Sequence, residues 1–319
     1  MSNDIYLNRL TSQLVDALER VSPEVRDRHV EWLRSQQNPD GGFSGREGGS
    51  DLYYTAFALR SLAVLQGLTP ELCGRCSAFL NQKSLEPTSI IDLFSLLISS
   101  FLATLGGGTD FLAEAQPGWE DRMSLALERF RKLDGGYAKS VESVSGSTYH
   151  TFLVLLTLQL LGRTSPHLDD LVRFTRSRQR DDGGFVEVAP MRRSGTNPTA
   201  AAVGILQMCG ALDSTTRRSV VHFLTRLPSS FEGGFRANDR IPAADLLSTF
   251  TGCWTLHQLD ALDEIDRVAI REYAESCELP TGGFRGGLWD EGFDVEYTFY
   301  GLGVLGLCAV GPDPKNVAT

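Results

Sequence analysis

Phe231-Glu232-Gly233-Gly234-Phe235, followed by Asp245-Leu246-Leu247-Ser248-Thr249-Phe250, is one copy of a unit that recurs along the 319-residue chain. A polar turn ends in Gly-Gly-aromatic, and an apolar helical run follows it. Further copies of the turn are Gly41-Gly42-Phe43, Gly135-Gly136-Tyr137, Gly183-Gly184-Phe185 and Gly282-Gly283-Phe284. Their aromatics fall at 43, 137, 185, 235 and 284, in steps of 94, 48, 50 and 49, so the first gap holds two periods. Self-similarity at a period of roughly 20–50 residues marks a repeat architecture, in which each unit buries its apolar face only by stacking on its neighbours.

Working outward, residues 4–36 read as helix, with Leu7, Leu10, Leu14 and Leu18 at three- and four-residue spacing and Ser22-Pro23-Glu24 starting a second helix. Asn38-Pro39-Asp40-Gly41-Gly42 is a turn, because proline fixes φ and glycine tolerates positive φ. Amphipathic segments such as 168–178 precede the turns. Nearly uncharged segments follow them: 149–161, 198–209, 246–256 and 295–308. The second unit is degenerate, with its apolar helix over 90–105 and no Gly-Gly-aromatic turn. Six inner and about six outer helices result, with strand character only in brief aromatic segments at the turns. A helix that is apolar all round is buried. Stacked units of this kind therefore close into an all-α structure, an α/α (α6–α6) barrel. The expectation is a single domain over 1–319, with repeats over about 25–310 and a short flexible C-terminal tail.

With 42% hydrophobic residues the chain has material for a sizeable core. A formal net charge of −10 disfavours nucleic acid as a partner. The start, Met1-Ser2-Asn3-Asp4-Ile5, lacks the basic and apolar regions of a secretory signal. The apolar run 90–105 contains Asp92 and serines and is too short to span a bilayer. The expected location is cytoplasmic. The six cysteines, Cys73, Cys76, Cys209, Cys253, Cys277 and Cys308, then read as reduced core thiols, including the lone Cys73-Gly74-Arg75-Cys76 pair.

The chain resembles the prenyltransferase and squalene-cyclase repeat superfamily, and within it the β subunits of protein prenyltransferases, especially the Rab geranylgeranyl type. Three stretches carry the likeness: Phe231 to Arg236 with Asp245; Thr281 to Arg285 with Asp294-Val295-Glu296-Tyr297-Thr298; and Gly41 to Arg46 with Asp51 to Thr55. The resemblance implies an aromatic-lined barrel for a long isoprenoid and a basic rim pocket for its diphosphate, which magnesium could accompany. It also implies a zinc ion held by Asp, Cys and His that activates an acceptor thiol, and a separate helical α subunit or a peptide acceptor as partner. Carried over singly, the zinc Asp falls on Asp245, the Cys on Leu247 and the His on Tyr297. Leu247 cannot ligate zinc, and Tyr297 is a poor ligand. Cys253 and His257 lie 8 and 12 residues beyond Asp245, about 12–18 Å along a helix, and cannot share an ion with it. A zinc-deficient site is expected, with Asp245 a ligand only if zinc binds.

The candidate diphosphate ligands are Arg192, Arg193, Arg236 and Arg240, out of register with the family's basic residues; the family's repeat-four His falls near Asn197. His150, at the start of an inner helix, is a candidate contact at the barrel mouth. Tyr54, Tyr149, Trp254, Tyr297 and Tyr300 are candidate pocket walls, with core packing as the alternative. The leading expectation is a prenyltransferase-like enzyme that binds an isoprenoid diphosphate. A second is a class II terpene-cyclase-like enzyme. Those enzymes use an Asp-rich motif where this chain has Asp294-Val295-Glu296-Tyr297, so Glu296, beside Asp294, would donate the proton. Glu296 as a helix cap is the structural alternative. A non-catalytic barrel scaffold is the third.

Overall fold

The computed structural model describes residues 5–84 and 89–309. The expected C-terminal tail lies outside them. Helix α1 (Tyr6–Leu18) comes first. Outer and inner helices then alternate in pairs: α2 (Pro23–Ser35) with α3 (Leu52–Val64), α4 (Pro70–Leu80) with α5 (Ile90–Leu105), and α6 (Trp119–Leu127) with α7 (Thr148–Leu160). The remaining pairs are α8 (Leu168–Ser177) with α9 (Thr196–Met208), α10 (Ser214–Leu224) with α11 (Leu246–Gln258), and α12 (Arg267–Cys277) with α13 (Val295–Leu307). Each inner helix packs on the next, and α13 packs back on α3, so the ring is closed.

The Gly-Gly-aromatic turn is a three-part joint. At Gly233 φ is +87°, and a Cβ there would lie 2.5 Å from the Ala269 carbonyl oxygen of the next outer helix. A Cβ on Gly234 would lie 2.4 Å from the Tyr273 ring. Only glycine permits both the left-handed backbone and the approach. The aromatic that follows is fully buried, and its amide donates to a threonine hydroxyl in the first turn of the inner helix. The five bonds are Phe43 to Thr55, Tyr137 to Thr151, Phe185 to Thr199, Phe235 to Thr249 and Phe284 to Thr298, at 2.9–3.2 Å. This satisfies a buried N–H that no helix or sheet would otherwise pair.

The last turn closes the ring on the first outer helix. His29 Nδ1 accepts from the Gly283 amide at 3.1 Å, its Nε2 lies 3.0 Å from Glu278 Oε1, and its ring stacks on Phe284. Arg46, before α3, makes a bidentate pair with Asp290 and donates from Nε to Asp294 Oδ2 at 2.9 Å.

One element departs from the expected six-plus-six count. Helix α1 belongs to neither ring. It packs on α3, α7 and α13, burying Leu7, Leu10, Leu14 and Leu18. The Tyr6 hydroxyl accepts from Trp254 Nε1 at 2.8 Å and Gln258 Nε2 at 2.9 Å, and the Tyr6 amide donates to Gln159 Oε1. These partners lie in the C-terminal halves of α7 and α11. Helix α1 therefore plugs the end of the barrel opposite the glycine turns.

Candidate active site in the barrel cavity

The inner helices enclose a cavity of about 500 Å³, within the range of roughly 300–1,000 Å³ usual for small-molecule sites. Its wall is aromatic: Tyr53 and Phe57 from α3, Phe152 from α7, Phe250 and Trp254 from α11, and Phe299 and Tyr300 from α13 all line it. Helical spacing of three or four residues puts 53 with 57, 250 with 254 and 296 with 299 and 300 on the faces that meet in the barrel.

Glu296 stands in this wall. Its Oε1 accepts from the Tyr53 hydroxyl at 2.6 Å and from the Tyr300 hydroxyl at 3.3 Å, which leaves Oε2 to carry a proton. Burial pushes the carboxyl above the usual range; the Tyr53 bond holds part of the rise back, and the Asp294 charge adds to it. The cap of α13 is Asp294, not Glu296: Asp294 Oδ1 accepts from the Tyr297 amide at 2.9 Å and Oδ2 from Arg46. With both oxygens engaged, Asp294 supports Glu296 electrostatically and is not itself in the cavity wall.

A second carboxyl, Glu187, also lines the cavity and is pushed upward by burial. Ser147, the cap of α7, donates to Glu187 Oε1. With that proton committed, its hydroxyl accepts from His150 Nδ1–H at 2.8 Å. His150 Nε2 is buried without a partner, and burial pushes the imidazole down to about 4. His150 is thus a neutral group behind Ser147, outside the wall. Its neighbour Tyr149 is in the wall.

The other expected site residues divide. Trp254 and Tyr300 line the cavity. Tyr54 does not: its ring covers Gly45 in the rim loop, and Tyr53, one position earlier, takes the wall place. Tyr297 lies under the Arg46 guanidinium, 5.3 Å from ring centroid to Cζ, with its hydroxyl pushed up to about 12 by burial. The four arginines form no anion pocket at the wall. Arg192, Arg193 and Arg240 are exposed, Arg193 pairs with Asp239, and the Arg236 guanidinium donates to the Leu227 and Arg226 carbonyls.

Nor do the residues at the family's zinc positions fit a zinc ion. Asp245 caps α11, Oδ1 accepting from the Ser248 amide at 2.7 Å and Oδ2 from the Ser248 hydroxyl. Leu247 points into the cavity wall. Among the described residues no group of three or more His, Cys, Asp or Glu is placed to hold a metal. Cys253 instead faces Cys308, with sulfurs 4.0 Å apart.

The wall residues not picked out from the sequence include Tyr53, Glu187 and Arg60. Arg60 had a visible signal, as the one charged residue in the otherwise uncharged segment Leu52–Val64. Tyr53 and Glu187 had none, since α3 gives no phase and Glu187 sits in a turn.

A closed ring of helical hairpins around an aromatic cavity defines an α/α toroid. A family model, the prenyltransferase alpha-alpha toroid domain, matches residues 5–186, 98–241 and 201–317, and the chain belongs to that family. Among solved structures, the chain is similar to Candida albicans protein geranylgeranyltransferase-I complexed with GGPP, at TM-score 0.63 and 13% identity over 89% of this chain and 91% of that one. It is similar to a variant of the type II terpene cyclase MstE from Scytonema in complex with geranylgeranyl dihydroxybenzoate, at TM-score 0.62 and 15% identity over 95% and 99%. An alpha-1,6-mannanase from Salegentibacter matches at TM-score 0.61 and 12% identity over 90% and 98%, so likeness at this level shows the fold alone. No curated protein matches the sequence significantly. Among the described residues no helix is long and apolar enough to cross a membrane.

Proposed function

We propose that the cavity holds a long isoprenoid chain and that Glu296 protonates one of its alkenes, starting a cyclisation without a metal. The observation that supports this most is the placement of Glu296, a carboxyl whose pKa is raised by burial, in an aromatic wall. The Glu296 O–H bond breaks, and the proton forms a C–H bond at the less substituted alkene carbon. The alkene electron pair leaves a tertiary cation at its neighbour. The next alkene supplies the electron pair for the ring bond, and the last cation loses a proton to water or a basic side chain. The product is an isomer of the substrate, and reprotonated Glu296 completes the cycle. The faces of Phe57, Phe250, Trp254 and Phe299 favour cationic intermediates over water.

The transferase alternative needs a cluster of basic residues for a diphosphate and an activated thiol, whereas among the described residues the wall has Arg60 as its one cation and no cysteine. The cyclase reading requires no partner subunit, acceptor peptide or magnesium. The test is incubation with polyprenyl substrates of 15 and 20 carbons in deuterium oxide. A product of unchanged composition carrying one deuterium is expected, and Glu296→Gln should slow its formation by about 10²–10⁴. Release of diphosphate with an adduct, and no deuterium uptake, would overturn this reading in favour of prenyl transfer.

A further inference from the structure

Arg60 lies on α3 between two chambers. Above it is the aromatic cavity; below it is a crevice of about 710 Å³ between α1 and the C-terminal ends of α3, α5 and α7, and Arg60 lines both. The two chambers differ in chemistry. The upper is apolar apart from the tyrosines, the two glutamates and a few small polar side chains. The lower one has Asn8, Thr11, Ser12, Gln66 and Gln159 in its wall. The cation stands at the boundary between them.

No carboxylate among the described residues pairs with Arg60. Its close neighbours are rings: Cζ lies 4.1 Å from the Phe299 centroid and 5.3 Å from the Phe57 centroid. Arginine stays charged in proteins. Arg60 is half-buried; a charge partly withdrawn from water without a counter-ion is unfavourable, and ring faces offset only part of that. The guanidinium fork is also shaped for two parallel bonds to a carboxylate or phosphate. Arg60 is 7 residues, about 10 Å along the helix, from Tyr53 and the level of Glu296. It sits toward the end of the barrel away from the glycine turns.

We propose that Arg60 anchors the anionic head group, carboxylate or phosphate, of an amphipathic ligand whose chain runs up the aromatic cavity toward Glu296. The assignment rests on the reading of the cavity as an isoprenoid site and names the substrate class: a polyprenyl chain ending in an acid, entered head-down. It also removes a conflict within that reading. A bare guanidinium repels a carbocation in the same chamber, whereas an ion pair does not.

The test measures binding of three 20-carbon probes to the purified chain by calorimetry: geranylgeraniol, geranylgeranoic acid and geranylgeranyl monophosphate. The expected result is that at least one of the two anions binds about tenfold or more tighter than the alcohol, the size of one charge-assisted pair. The carboxylate and phosphate arms decide which head is used. In Arg60→Met, which keeps the apolar stem, the anion should fall to the affinity of the alcohol, and the alcohol should change less than about twofold. Arg60→Lys, checked like Arg60→Met for a cooperative melt, should keep part of the preference. Equal binding of acid, phosphate and alcohol to the wild type overturns the Arg60 assignment and leaves the isoprenoid reading standing. So does an anion preference that survives in Arg60→Met. Failure of all three probes to bind the wild type overturns the isoprenoid reading, and the assignment with it.

Discussion

The Tyr53 hydroxyl donates to Glu296 Oε1 at 2.6 Å, joining the first inner helix to the last at the cavity wall. A hydrogen bond to the ionised form of an acid favours that form. Tyr53 therefore holds Glu296 below the value that burial alone would set. As a general acid, Glu296 is active while protonated, so the rate should fall as pH rises through its raised pKa. Tyr53→Phe should shift that descending limb to higher pH. Glu296→Gln should lower the rate by about 10²–10⁴ at every pH, with ligand affinity retained. A pH–rate profile of the two variants decides it; an unmoved limb in Tyr53→Phe would show that Tyr53 does not tune the acid.

The same carboxyl predicts a stability trade-off. The folded pKa of Glu296 lies above its unfolded value, so its favourable contribution is complete below the unfolded value and is lost as pH rises through the folded one. At neutral pH, above the unfolded value, the carboxyl ionises more easily in the unfolded chain than in its buried place. Glu296→Gln, which keeps an oxygen for Tyr53, should raise the melting temperature by about 1–3 °C near pH 7, with the gain shrinking toward pH 4. Calorimetric melts across that range measure it. A variant less stable than wild type at pH 7 would count against a site held under strain for function.

The repeat was readable because its chemistry is local. A glycine pair, an aromatic and an apolar helix recur in register, and closure follows from helices with no polar face. The threonines at 55, 151, 199, 249 and 298 recur just as regularly, but their partner amide lies 12 or 14 residues away, so the bond itself is tertiary. Helix α1 was readable as a helix and not as a plug, since nothing in Leu7, Leu10 and Leu14 says which apolar surface they meet. The site was less legible than the fold. Of the candidate wall residues, Tyr149, Trp254 and Tyr300 line the cavity with Glu296, whereas Tyr53 lines it in place of Tyr54, because an all-round apolar helix carries no phase. The rim arginines were expected at a pocket from which loop geometry turns them away.

Two glycines of nearly equal φ separate backbone strain from packing. Gly233 has φ +87° and would place a Cβ 2.5 Å from the Ala269 carbonyl oxygen; Gly48 has φ +88° and nothing within 4 Å. Gly48→Ala should cost only the left-handed penalty, about 1–2 kcal/mol. Gly233→Ala adds displacement of α12 from the turn and should cost about 3 kcal/mol or more. Urea unfolding midpoints compare them. Equal losses would mean that the turn does not lock the outer helix.

Closure of the ring can be probed at Arg46. Its fork holds Asp290, and its Nε holds Asp294, whose side chain is only 3% exposed. Burial pushes the Asp290 carboxyl up, but the bonds from Arg46 and the Gly292 amide outweigh it and leave the group below the usual range. A lowered folded pKa contributes stability above the unfolded value that is lost as pH falls through the folded one. Arg46→Met leaves Asp294 buried and without its cation, and should destabilise by about 1–3 kcal/mol at pH 7. The loss should shrink at acid pH, as the pH falls through the lowered folded value of Asp290. Arg46→Lys should recover less than half of it, because an ammonium cannot serve both carboxylates through a planar fork. A penalty independent of pH would mean that Arg46 acts by packing on Tyr297, 5.3 Å beneath its guanidinium, and not by joining the two ends of the ring.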